Sequence, residues 1–311
     1  TTPAAVRRFG HGLPLASGRV FIDVSAQLAG VQPPAAAPGR DPEAVRQAEV
    51  AAIRKLVEAA VRAPSFGNRQ PWRFVYREGA LEVHQDPARS GGVADEFGRQ
   101  MACIAIGAAL ENIDIVAGAG GQSTTMALFP APRDPTLVAE LRLTPRAGGP
   151  SQDPLVEEIG RRVTNRRPGT RPHLTPVHAQ VLASAARERG AKLQLCNERQ
   201  TLDELAQILT DAERLRMLCP ALHTELMQSL RWTPAEAEQT RDGMLVDHYA
   251  TGPAEVATLQ LARSPQVARL LRDVGGGSGL AAGVTPAIAS SAGLGLLTVP
   301  GTDPAAFVRG G

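Results

Sequence analysis

The sequence predicts a mixed α+β fold in two units, and three observations predict it. Residues 96–119 carry a helical pattern that is apolar around most of its circumference (Met101, Ile104, Ala105, Ala108, Leu110, Ile113 and Val116), the mark of a buried helix. Strand patterns flank it. Residues 72–76 and 80–84 read as a hairpin about Glu78-Gly79, and residues 125–129 and 137–143 alternate as strands joined by a proline-rich turn. A Gly/Pro-rich stretch over 146–154 then interrupts the pattern, and a second series of helices and strands follows. The expected division is an N-terminal arm and linker over 1–44, a first unit over 45–150 and a second over 151–311.

The elements follow in order. Residues 1–44 hold a short apolar run, Val20 to Val24, and a Pro/Ala linker, Gln32 to Pro38; Asp41-Pro42-Glu43 reads as a helix start. From Val45 to Val61, Ile53, Leu56, Val57 and Ala60 recur at helical spacing, and Pro64 ends that helix by biasing Ala63 away from the α region. Gly120-Gly121 closes the buried helix. In the second unit, helices are expected from Leu155 into the cluster Arg161–Pro168, over 175–189, over 201–218, over 222–232 and over 263–274. Strands are expected over 191–196 and, as a buried run, over 286–299, with the entry to a helix at Ala305. A Pro-containing turn closes a strand in both units, at Pro130–Pro135 and at Pro300–Pro304, as a faint internal repeat.

Composition narrows the function. The chain has 311 residues, 43% hydrophobic and 21% charged, enough for a sizeable core. A formal net charge of +2 argues against a nucleic-acid surface. Three cysteines (Cys103, Cys196, Cys219) without a CxxC suggest neither a disulfide framework nor a zinc site, and the six histidines lack ligand spacing, so no metal is expected. Arg7-Arg8 is followed by no apolar region, and no run approaches 18 apolar residues, so a cytoplasmic protein off the membrane is the expectation. Gly277-Ser278-Gly279-Leu280-Ala281-Ala282 approaches a dinucleotide fingerprint but lacks the strand before it and the helix after it.

The chemistry concentrates in two stretches. Between the first helix and the strand at Trp72 lies Arg62-Ala63-Pro64-Ser65-Phe66-Gly67-Asn68-Arg69-Gln70-Pro71, a tight turn presenting Ser65, Asn68 and Gln70. Such residues are common in ordinary connections, where they bond their own backbone. The second stretch, Arg161 to Arg167, holds four arginines in seven residues. On a helix end Arg162 and Arg166 would share a face, with Thr164 near them. Arginine's planar fork binds phosphate oxygens in pairs. Its plain alternative is a solvated turn pairing with Glu157 and Glu158.

Ala63 to Trp72 resembles, position by position, the APSxxNxQPW signature of the FMN-dependent nitroreductase superfamily, and Arg162-Val163-Thr164-Asn165-Arg166 resembles its basic-x-Ser/Thr-x-basic motif. In that family each flavin takes one motif from each of two subunits. Here the basic motif is absent before the first helix, and the APSxxN loop is absent from the second unit. The chain is therefore similar to the Acg-like branch, in which two degenerate halves are fused into a pseudo-dimer, and the resemblance covers roughly residues 45–311.

The resemblance implies a nitroreductase-like α+β fold with one FMN. Arg62, Pro64, Ser65, Asn68 and Gln70 form the flavin loop, with Pro64, Ser65 and Asn68 on the ring or its ribityl chain and Gln70 and Trp72 fixing the turn. Arg162 and Thr164 are on the phosphate, and Arg166 is beside N1 and C2=O. It implies hydride transfer from NAD(P)H to a small electron-poor acceptor, a nitroaromatic or a quinone, by a monomer (pseudo-dimer) or homodimer, with chemistry on the flavin rather than on a catalytic side chain. An alternative is an FMN-storing protein with a lid, for which Leu215 to Tyr249 is the candidate; another is a site that no longer binds flavin. The family's further phosphate contacts near its C-terminus have no counterpart here, and the second half is expected to lack its C-terminal helix.

Overall fold

A computed structural model describes residues 42–91, 95–166, 169, 174–249 and 252–311. The expected features of the N-terminal arm, including Val20 to Val24 and Asp41, lie outside them. The described chain falls into two compact units. One holds the residues up to Val163 together with Gly301–Gly311; the other is Thr164–Pro300.

In the first unit, α1 (Pro42–Ala60) leads through a loop to β1 (Trp72–Arg77) and β2 (Ala80–Gln85). Glu78 and Gly79 both take positive φ, 51° and 73°, which gives the turn whose twist suits a tight hairpin. A short helix α2 (Pro87–Ser90), the long α3 (Glu96–Ala119), β3 (Gln122–Leu128), β4 (Leu137–Pro145) and α4 (Leu155–Arg161) follow. The four strands pair antiparallel in the order β1-β2-β4-β3.

The predicted apolar face of α1 (Ile53, Leu56, Val57, Ala60) and the alternating small and large residues of α3 (Ala105, Ile106, Ala109, Ile113) bury against Phe74, Tyr76, Leu81, Val83 and Leu141 of the sheet. Tyr76 also donates its hydroxyl to Glu49. The absence of any membrane-length apolar run meets an exception in α3. It is long and apolar enough to cross a bilayer, yet 61% of its most apolar window is buried inside the protein, as for a core helix.

On β2, Glu82 and His84 alternate with the core residues Leu81 and Val83, and both are themselves buried. Glu82 accepts from Arg77 Nε at 2.7 Å and lies 2.9 Å from His84 Nε2. Burial pushes the Glu82 carboxyl up, but the hydrogen bonds and charges of Arg77 and His84 outweigh it and leave its pKa below the ordinary 4.5. A carboxyl lowered on folding contributes stability above its unfolded value, and that contribution is lost as pH falls through the folded value. Glu82→Gln is expected to flatten the acid limb of the stability curve below pH 4.5. Urea midpoints across a pH series check this, and an unchanged acid limb would remove Glu82 from the account.

The second unit is mainly helical: α5 (Pro176–Glu188), β5 (Lys192–Cys196), α6 (Arg199–Leu218), α7 (Pro220–Ser229), β6 (Leu230–Arg231), α8 (Pro234–Thr240), β7 (Met244–Leu245), α9 (Val246–Tyr249), α10 (Pro253–Ala262), α11 (Pro265–Asp273), α12 (Val284–Ala289) and β8 (Leu294–Thr298). The Gly277–Ala282 run follows α11 and forms a 3-10 turn over Ser278–Ala281, not a strand-to-helix crossing. The buried strand expected over 286–299 is instead α12, a turn and the strand β8. Pro286 is tolerated in a first helical turn, and Leu296 and Leu297 are exposed. The lid candidate over 215–249 supplies Met217, Leu218, Leu226, Leu230 and Val246 to this unit's apolar core, which Leu259, Ala262 and Leu280 complete.

The terminal helix α13 (Pro304–Gly310) returns to the first unit. Asp303 caps it by accepting from Ala306 N at 2.7 Å, and Val308 joins the first core. It crosses α3 at Gly107, where a Cβ would overlap the Val308 carbonyl oxygen and lie 2.9 Å from its carbon. Only glycine permits that approach.

Candidate functional site

The loop between α1 and β1 is built almost without regular structure, and its shape is set by backbone strain and side-chain clamps. Ser65 is extended, Phe66–Asn68 make one 3-10 turn, and Gly67, Asn68 and Gln70 all take positive φ (60°, 53°, 51°). Glycine and asparagine tolerate this region; glutamine does so less readily. At non-glycine positions such conformations cost about 1–3 kcal/mol each and persist where surrounding contacts over-determine them.

Those contacts are present. Gln70 N–H donates to Ser65 Oγ at 3.0 Å, and Asn68 N–H to Ser65 O at 3.0 Å. Arg89 Nη1 donates to the carbonyls of Arg69 (3.0 Å) and Gln70 (3.1 Å), while Asp86 N–H holds Pro71 O at 2.9 Å. At the other end of the turn Asn112 Nδ2 donates to Ala59 O at 3.0 Å. Trp72 is buried in the core behind the loop, so it anchors the turn. Ser65 and Gln70 hold one another, and the Ser65 hydroxyl keeps its proton for a further partner.

The basic stretch needs a correction. The helix expected to carry it ends at Arg161; Arg162 has φ −57° and ψ 127°, and residues 162–166 are not helical. Arg162 and Arg166 therefore share no helix face. β-Branched Val163 and Thr164 followed by Asn165 are poor continuers of a helix. Arg161 does what a solvated basic turn does, pairing with Glu158 at 2.9 Å and Glu157 at 3.7 Å.

Arg162 turns the other way. Its Nη2 donates to the carbonyl of Arg62 at 3.0 Å, joining positions 100 residues apart at the entrance of the loop. Partial burial lowers its pKa from the ordinary value, yet a guanidinium stays cationic. Arg62, Pro64, Ser65, Asn68, Gln70 and Arg162 thus fall in one unit. Thr164 and Arg166 fall in the other, where both are exposed and Arg166 Nη2 lies 3.5 Å from Met244 Sδ.

An exposed aromatic pair flanks the loop: Phe66 within it and Phe97 in the first turn of α3, ring centroids 5.6 Å apart and edge to face. Sequence reasoning missed Phe97, Arg89 and Asn112. None of the three carried a local signal: Asn112 sits between the polar residues Glu111 and Asp114, and nothing near Arg89 or Phe97 marks them.

The chain aligns along its whole length with the uncharacterized protein MT1398 of Mycobacterium tuberculosis, 32% identical over 318 residues that make up 44% of that protein. Two relatives in the same organism carry functional names. One, "Putative NAD(P)H nitroreductase acg", is 32% identical over 93 residues, 30% of this chain and 28% of its own. The other, "Putative NAD(P)H nitroreductase Rv3131", is 30% identical over 135 residues, 43% of this chain and 39% of its own. These matches support a nitroreductase-like family. No protein-family model matches the chain. The chain spans less than half the length of these relatives. Its mixture of helices and mainly antiparallel strands is consistent with the α+β class expected.

Proposed function

We propose that the chain is an FMN-binding, nitroreductase-like oxidoreductase that takes hydride from NAD(P)H and passes it to an electron-poor acceptor, a nitroaromatic or a quinone, with two degenerate halves fused around one flavin. The observation that carries this reading is the bond from Arg162 to the Arg62 carbonyl, which brings the first arginine of the basic motif onto the loop whose sequence resembles the flavin motif. The relatives' names agree with the reductase class.

The residues fit the group. A phosphate needs cationic donors, and the Arg162 guanidinium reaches the main chain of Arg62 at the loop entrance, using one N–H on that carbonyl. A flavin ring edged with carbonyl and N–H groups needs donors and acceptors held still, and the clamped turn offers the Ser65 hydroxyl and the Asn68 amide. Pro64, exposed beside them, offers an apolar surface; Gln70 braces the turn. Bound FMN would supply a ring that accepts and donates hydride at N5. In this reading Thr164 completes the phosphate grip and Arg166 places positive charge toward the ring's N1 edge. The exposed Phe66–Phe97 pair favours an aromatic acceptor, because edge-to-face rings leave a face open for stacking.

The protein as purified is expected to show a flavin spectrum with about one FMN per chain. A colourless protein that takes up no added FMN would overturn the reading. Steady-state NAD(P)H oxidation then separates turnover from storage. Asn68→Ala removes a side chain that both donates and accepts, and it is expected to weaken FMN by about 1–3 kcal/mol. Flavin fluorescence quenching measures this, and unchanged affinity would return the turn to an ordinary connection.

A further inference from the structure

The turn's strained conformation has a specific keeper. We infer that Arg89 is a positioning residue for the flavin loop: by holding the Arg69 and Gln70 carbonyls with one guanidinium nitrogen, it keeps Asn68 and Gln70 in their left-handed conformations. Its consequence for FMN rests on the function proposed above; its action on the loop does not.

Arg89 is built for this. Its side chain is 11% exposed, and its short helix is held at both ends. Asp86 caps the helix by accepting from Ala88 N at 3.0 Å, and its carboxylate lies 4.0 Å from Arg89 Nε. Ser90 Oγ donates to Asp86 O at 2.9 Å and accepts from buried Gln85 Nε2 at 2.7 Å. Gln85 in turn pairs across the sheet with Trp72, the first residue after the loop, and Asp86 N–H bonds Pro71 O. The donor and the two carbonyls it holds are thus fixed to the same strand pair.

The two carbonyls belong to consecutive residues, Arg69 at φ −73° and Gln70 at φ 51°, with Asn68 at φ 53° before them. A charged donor shared by both favours the one backbone path that turns them toward it. Relaxing Gln70 to negative φ would swing its carbonyl away and break the bond from its N–H to Ser65 Oγ. Arg89 touches neither flavin nor substrate in this reading; it acts through the backbone.

The test uses the full chain with Arg89→Ala and Arg89→Lys, read by amide hydrogen exchange and by FMN titration. In Arg89→Ala, the amides of Asn68, Arg69 and Gln70 are expected to exchange about tenfold faster, while those of α3 and β2 keep their protection. FMN affinity is expected to fall by about tenfold or more, and millimolar guanidinium to restore part of it. Arg89→Lys, with a point charge in place of a fork, should fall between the two. Faster exchange throughout the first unit with a matching drop in Tm in both variants would make Arg89 a general stabiliser and overturn the inference. So would unchanged loop exchange, or loosened amides with full FMN affinity. If the unaltered chain binds no FMN, the function proposed above fails while loop exchange still decides whether Arg89 holds the turn.

Discussion

Gly107→Ala is expected to destabilise the protein by about 1–3 kcal/mol, against the direction that helix propensity gives. In an exposed helix the change would gain about 1 kcal/mol, because alanine gives up less backbone freedom. Here the new methyl would overlap the Val308 carbonyl oxygen and lie 2.9 Å from its carbon, with the Gly311 Cα at 3.1 Å. The obstacle is main chain rather than a movable side chain, so α13 must shift or detach. Denaturant unfolding gives the size. Combination with removal of residues 304–311 gives the cause: in the shortened chain the same substitution is expected to be neutral or favourable. A penalty that survives the deletion would place the strain inside α3 itself.

Arg162→Ala is expected to have the largest effect at the proposed site, weakening FMN by about 1.5–3 kcal/mol while leaving riboflavin, which lacks the phosphate, equally weak in both proteins. The substitution also removes the donor on Arg62 O. Arg162→Lys separates the two roles, since it keeps charge for a phosphate but loses the planar fork. Titration of both ligands into the three proteins checks the prediction. Equal loss for FMN and riboflavin would mean that Arg162 shapes the loop instead of binding phosphate.

Much of the first unit was legible because its patterns are long and one-sided. The apolar stripe of α1, the small-residue helix α3 and the Glu78-Gly79 hairpin each combine local propensity with burial in the same direction. The second unit was less legible. Residues 286–299 read as one buried strand, but a helix and an exposed strand share them, and they divide at Ser290-Ser291, where the helix ends. At the candidate site the loop was visible as a motif, and Arg162 was found for a reason the fold corrects. It reaches the loop from a segment leaving a helix end, not from a helix face shared with Arg166. The clamps from Arg89 and Asn112 join residues 19–20 and 53 positions apart, and such contacts have no local sequence signature.

The return of α13 to the first core has a consequence for the order in which the protein matures during translation. The face of α3 around Gly107 leaves the ribosome long before Val308 does, and all of Thr164–Pro300 must be made in between. At about 5–20 residues per second, that interval is on the order of ten seconds or more, and through it the nascent first unit carries an uncovered apolar stripe. At the crossing itself the stripe is bare main chain, because Gly107 has no side chain, which limits what an exposed intermediate offers there to chaperones or to other nascent chains.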